Sequence, residues 1–231
     1  MRAILIVMIL IIAGLGLDKD WWHIPRHWAP WTPLSVDDPL TPVTRWKLSQ
    51  LEGDRDGCRQ VLAGVSDAAP SYTALEDYTP VEECPLRNVV RLRRTGVDFS
   101  DAFVASCPMA LAWIIYERQR LQPAAETILG SRVTAVEHYG SFACRNVYGR
   151  DQGRRSEHAT AEALDVAAFR LADGRRIDLA GDWDSEGDAG RFLRAAQRGA
   201  CDVFGTVLGP DDNAAHADHF HFGMRGAAFG C

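Results

Sequence analysis

Two short segments hold most of the side chains that could act together in chemistry. One is Ser156-Glu157-His158-Ala159-Thr160-Ala161-Glu162-Ala163-Leu164-Asp165 and the other is His216-Ala217-Asp218-His219-Phe220-His221. A catalytic zinc site takes about three His, Asp or Glu ligands and keeps one position open for water. Water bound there gives up a proton near neutral pH, so no Ser or Cys nucleophile is required. Asp165 lies among Ala163, Leu164, Val166 and Ala167 in what reads as a buried strand. A lone carboxylate in that setting is costly unless it is paired or binds a cation. His219 and His221, two apart on a strand, point to one side, while Phe220 and Phe222 face the other. Four of the seven histidines fall between residues 158 and 221. The competing reading is that they are hydrogen-bonded scaffolding of the core.

The elements that must position these groups are helices and an antiparallel sheet. Leu111, Ile114 and Ile115 fall at helical spacing, and Pro108 suits a first turn, which predicts a helix within 108–119. The apolar stripe Phe192, Leu193, Ala196, Ala200, Val203, Phe204 predicts a second helix over 186–204. Asp173-Gly174 between the runs 163–171 and 176–179 predicts a hairpin, and 219–224 alternates as a strand. The expected fold is α+β, with helices packed on a small, mainly antiparallel sheet bearing the metal site.

Three units are expected along the chain. Residues 1–17 form a signal or anchor, because Arg2 is followed by the unbroken apolar run 3–17 and then by Asp18-Lys19-Asp20. Residues 18–46 hold five of the eleven prolines and five of the seven tryptophans, and they read as a tether or as an arm packed on the domain. Trp21 and Trp22 suit a membrane interface. Residues 47–231 form the domain. Six dispersed cysteines without a C-x-x-C pair suit disulfides in an oxidising compartment. Pairing for modest loops gives Cys58–Cys84, Cys107–Cys144 and Cys201–Cys231. A net charge of −6 argues against a nucleic-acid partner.

The order H-x6-D followed by D-H-x-H resembles the zinc peptidases grouped with D-Ala-D-Ala carboxypeptidases and dipeptidases, murein endopeptidases and the hedgehog signalling domain. Their S-x-H-x-x-G-x-A-x-D motif falls on Ser156, His158, Ala163 and Asp165, with Ala161 at the glycine position. From Cys107-Pro108 to Cys231 the chain is similar to the bacterial extensin-like C-terminal domain family. The likeness rests on Gly140-Ser141-Phe142-Ala143-Cys144-Arg145-Asn146, the segment 156–165, Leu208-Gly209-Pro210 and the segment 216–221.

The resemblance implies that His158, Asp165 and His221 hold one Zn²⁺, with His216 as a spare ligand. It implies that Asp218 is the general base, although shorter than the Glu of the dipeptidases, and that His219 supports the reacting oxygen. Arg145 would steady the tetrahedral intermediate, and Ser156 would fix its loop or a substrate carboxylate. The function implied is a zinc-dependent peptidoglycan peptidase, carboxypeptidase or endopeptidase. It would sit on the periplasmic side of the cell envelope and be anchored in the inner membrane. The alternative is a non-catalytic zinc-containing wall-binding or structural domain, as the hedgehog relative illustrates.

Overall fold

A computed structural model of the chain describes residues 4–8 and 24–226. Its centre is helix α3 (Cys107–Tyr116), all ten residues of which are buried. The stretch CPMALAWIIY has no polar face, so the helix is stable only when surrounded. Ser106 caps its first turn by accepting from Met109 N, and Pro108 stands where no helical N–H is needed. The helix runs through a π-type turn, Glu117–Leu121, into α4 (Gln122–Leu129). Ahead of it lie α1 (Pro42–Gln50) and α2 (Arg55–Ala63); after it come the short α5 (Leu179–Asp182) and α6 (Asp188–Ala200).

The strands are β1 (Ser71–Ala74), β2 (Tyr78–Val81), β3 (Cys84–Leu86), β4 (Val89–Arg94), β5 (Asp98–Ser106), β6 (Val133–Gly140), β7 (Ala163–Leu171), β8 (Arg176–Asp178), β9 (Thr206–Leu208) and β10 (Phe220–Gly223). The main sheet has the order β1-β4-β5-β6-β7-β10-β9, with β8 also on β7; β2 and β3 pair separately. All pairs are antiparallel except β5 and β6, which are parallel. The fold is therefore α+β with a mainly antiparallel sheet, as expected, although the main sheet with its eight strands is not small. The β7–β8 hairpin closes at Asp173-Gly174, where Gly174 takes a φ of 88°.

Both helices expected from periodicity are present with shorter bounds. The 108–119 stretch changes hydrogen-bond register at Glu117, and the 186–204 helix ends at Ala200. Of the two readings of 18–46, tether or packed arm, the described part takes the second. Leu34 and Val36 join the core, Thr41 Oγ1 donates to His27 O (2.7 Å), and Gln119 Nε2 donates to Val36 O and Asp38 O (2.9 Å each). Pro42 starts α1, which crosses the boundary expected at residue 47. Among the described residues no helix is long and apolar enough to cross a membrane. Most of the run 3–17, together with Trp21 and Trp22, lies outside the described residues.

Two disulfides differ from the pairing expected. Cys58 bonds Cys107 and Cys84 bonds Cys144, with Cα–Cα distances of 6.1 and 5.8 Å. The expected Cys58–Cys84 and Cys107–Cys144 pairs are thereby excluded. Preferring short loops is a weak criterion, because doubling a loop costs only about 0.6 kcal/mol of closure entropy. Packing of α2 against α3 decides instead, since it brings two fully buried cysteines together. Cys201 is also disulfide-bonded, and its expected partner, Cys231, lies outside the described residues.

Candidate metal centre

Strand β10 is anchored through its aromatic face. Phe222 stacks on Phe204 (5.1 Å between centroids) and meets Tyr116 edge-on, while Phe220 meets Trp183. Burying a phenylalanine contributes about 1.5–3 kcal/mol, so these two residues hold the strand firmly in register. That register sets His221 directly opposite Asp165 on β7, with Phe220 opposite Val166 and Phe222 opposite Leu164. Residues opposite one another project to the same face, so the imidazole and the carboxylate meet.

His158 arrives from a different element, the 3-10 turn Glu157–Thr160 that leads into β7. Ser156 caps this turn by accepting from His158 N, which is the loop role expected of it. The turn ends on Ala161 with φ 54°, a left-handed conformation that glycine adopts without strain. The motif's glycine at this position thus has a backbone reason, and here an alanine bears the cost, about 1–2 kcal/mol.

Three ligand-type atoms converge. His158 Nε2 lies 3.1 Å from His221 Nδ1 and 3.2 Å from Asp165 Oδ2, and His221 Nδ1 lies 3.0 Å from Asp165 Oδ1. One atom from each residue lies within 4.8 Å of the other two. The outward nitrogens are engaged: His158 Nδ1 with Ser141 O at 3.1 Å and His221 Nε2 with Glu157 Oε2 at 3.2 Å. If each outward nitrogen carries the proton, both inward nitrogens present lone pairs toward Asp165. Two lone pairs in contact need a cation between them, either a proton or a metal ion.

The electrostatics agree. Burial works to lower the pKa of His221, but Asp165 and Glu157 overcome it and push it up to about 9. Burial likewise works to raise that of Asp165, and hydrogen bonds from His158 and His221 override it, holding the carboxyl well below its ordinary range. In donor type, convergence and outer support the group fits a divalent cation of the imidazole- and carboxylate-binding class.

Glu157 is the residue that sequence reasoning did not single out. It is buried, accepts from Arg225 N as well as contacting His221, and packs where a Cβ on Gly223 would approach it to 2.4 Å. The available signal was a glutamate beside the motif histidine with a glycine two residues after His221. The Cys84–Cys144 bond holds the other support, since Cys144 follows the Ser141 segment and Ala143 N donates to His158 O (3.1 Å).

At the rim stand the remaining expected residues. His219 Nδ1 is 2.8 Å from Asp218 Oδ1, and its Nε2 is 3.8 Å from Asp165 Oδ1. Tyr139 OH donates to Asp218 Oδ2 (3.3 Å). Asp218 is thus turned toward His219. His216 borders the group, its ring 5.7 Å from that of His221, with Nδ1 on Asn213 Oδ1 (2.8 Å). Arg145 is exposed on the wall of a cavity of about 450 Å³ that is also lined by His158, Asp165, His216, His219 and His221. Compared with known families, the chain matches the one described as extensin-like protein C-terminus over residues 57–231. No curated protein and no solved structure gave a significant match.

Proposed function

From a chain that belongs to the extensin-like protein C-terminus family and carries this His/Asp/His group, we propose a zinc-dependent peptidase acting on peptidoglycan peptides. The observation that carries the reading is the convergence of His158 Nε2, Asp165 and His221 Nδ1 beneath an open cavity, with a paired His219–Asp218 at its rim. Zinc bound by the three residues would polarise the peptide carbonyl and lower the pKa of the attacking water.

The chain's own groups supply the rest. His158, Asp165 and His221 are ligands, and Ser141 O and Glu157 hold the two imidazoles in the tautomers that keep their inward nitrogens free. His219 acts as the base. With Nδ1–H donated to Asp218, its Nε2 faces the ligand group and can take the proton of the water and return it to the leaving amine. Asp218, expected from the resemblance as the base, is assigned the supporting role of orienting His219, because its Oδ1 is engaged there and its Oδ2 accepts from Tyr139. Residence in the cell envelope, with residues 1–17 as an anchor, belongs to the same proposal and rests on the apolar leader and the disulfides.

The test is hydrolysis of purified muropeptides by the zinc-loaded chain, with and without chelator. Turnover should require one equivalent of zinc. His219→Ala should lower turnover by about 10²–10⁴-fold with zinc content unchanged. A zinc-replete protein that releases no product from cross-linked or monomeric muropeptides would reduce the domain to a binding module.

A further inference from the structure

One wall of the cavity is a basic stretch of an acidic chain. Residues 145–156 contain Arg145, Arg150, Arg154 and Arg155 against one acid, Asp151, in a protein of net charge −6. The stretch folds back on itself as a narrow hairpin. Ser156 N donates to Arg145 O (3.0 Å) and Val147 N to Arg154 O (2.9 Å), on either side of the bridge between Asn146 and Arg155. Side chains alternate along each antiparallel strand, and opposite residues share a face. Arg145, Val147, Arg154 and Ser156 therefore form one face, and all four line the cavity.

The charges within this cavity do not cancel locally. Asp165 is taken up by His158 and His221, and Glu157 by His221 and Arg225 N. Arg155 also borders the cavity but pairs with Glu83, and Arg150 lies over the Tyr148 ring at 5.7 Å. Among the described residues Arg145 and Arg154 have no carboxylate partner. Guanidinium groups are weakly hydrated and present a planar fork that fits a carboxylate through two parallel hydrogen bonds. Tyr148, 61% exposed in the short 3-10 turn Val147–Gly149, lines the same cavity with φ 58°. A left-handed conformation is uncommon for a bulky side chain and recurs at ligand-contacting positions.

We propose that Arg145 and Arg154 bind a carboxylate of the substrate, namely the free C-terminal carboxylate of a peptide whose scissile bond lies over His158, Asp165 and His221. The assignment rests on the peptidase reading and deepens it, because it makes the enzyme a carboxypeptidase. It also gives Arg145 a ground-state binding role in place of the expected one at the tetrahedral intermediate.

The experiment measures binding of diacetyl-Lys-D-Ala-D-Ala and of its C-terminal amide to the full chain, with chelator present so that turnover does not intervene. The free acid should bind about tenfold or more tightly than the amide. The double variant Arg145→Gln/Arg154→Gln should lose that preference, and Arg→Lys at both positions should restore part of it. Both arginines are solvent-accessible, so thermal melting of the variants should match the parent. Equal affinity for acid and amide, a preference that survives in the double variant, or tighter binding of inorganic phosphate than of the free acid would overturn the proposal. Initial rates with zinc separate the two readings. Equal cleavage of acid and amide defeats the carboxylate site and leaves the peptidase. Selective binding of the acid without hydrolysis of any peptide defeats the peptidase and leaves the site.

Discussion

The floor and the rim of the cavity are built on opposite principles. On the floor, His158, Asp165 and His221 are nearly enclosed and gripped from both sides, by one another within and by Ser141 O and Glu157 without. At the rim, His219 is held by Asp218, whose side chain is 52% exposed, and Asp218 in turn by the exposed Tyr139. Buried, fully partnered groups lose little further freedom when a ligand arrives, and their geometry is over-determined. Water competes for exposed hydrogen bonds, and these tighten only when a substrate closes over them. Metal retention should therefore belong to the floor and turnover to the rim.

The strongest way to break that division is His158→Ala. If the floor holds zinc as proposed, elemental analysis should find close to one equivalent in the parent and none in this variant, and full occupancy in the variant would remove His158 from the floor. A pH series on metal-free protein tests the floor's electrostatics. The folded pKa of His221, about 9, lies above its unfolded value near 6.5. Its stabilisation is thus complete below about pH 6.5 and is lost as pH rises through about 9, on the order of a few kcal/mol. Asp165 runs the other way. Its lowered pKa contributes stability above about pH 4 that is lost as pH falls. The melting temperature with chelator should drop from pH 6.5 to 9.5, and saturating zinc should remove that drop because the metal takes the proton's place. A flat profile with chelator would contradict the shared proton.

Glu157→Gln sharpens the comparison by touching the outer support alone. Zinc affinity, measured by competition with a chromophoric chelator, should fall about 10–100-fold while the fold persists. An unchanged affinity would make Glu157 a purely structural partner of Arg225. The smallest effect is expected at Ala161→Gly. Relief of the left-handed strain, about 1–2 kcal/mol, is offset by loss of a buried methyl, about 0.8 kcal/mol, and by the greater freedom of glycine in the unfolded chain. Denaturant unfolding should show a change below about 1 kcal/mol, and a loss above 3 kcal/mol would show that the methyl's packing dominates.

Much of the floor was legible in the chain because its signals are local. An H-x-H flanked by phenylalanines can present both imidazoles to one side only, and an aspartate inside an apolar strand has few uses other than a cation. Asp165 opposite His221 follows once those strands pair. Elsewhere the deciding term was not local. The prolines of 18–46 left a spacer and a packed arm both open, and Leu34 and Val36 find apolar surface on the domain, so its described part docks. Short loops suggested two disulfides that packing of α2 on α3 replaced.

The residue types along the chain thus narrowed which groups could bind a cation, and they pointed to helices combined with a mainly antiparallel sheet and to an apolar helix within 108–119. Side-chain period and apolar content act over a few residues and can be read directly. Only the tertiary structure decided which nitrogen of each histidine faces inward, that Glu157 backs His221 across the space left by Gly223, that Asp218 turns to His219, and which cysteines meet. Those outcomes depend on distances between segments far apart in sequence, and packing sets such distances at a cost in loop entropy too small for spacing alone to reveal.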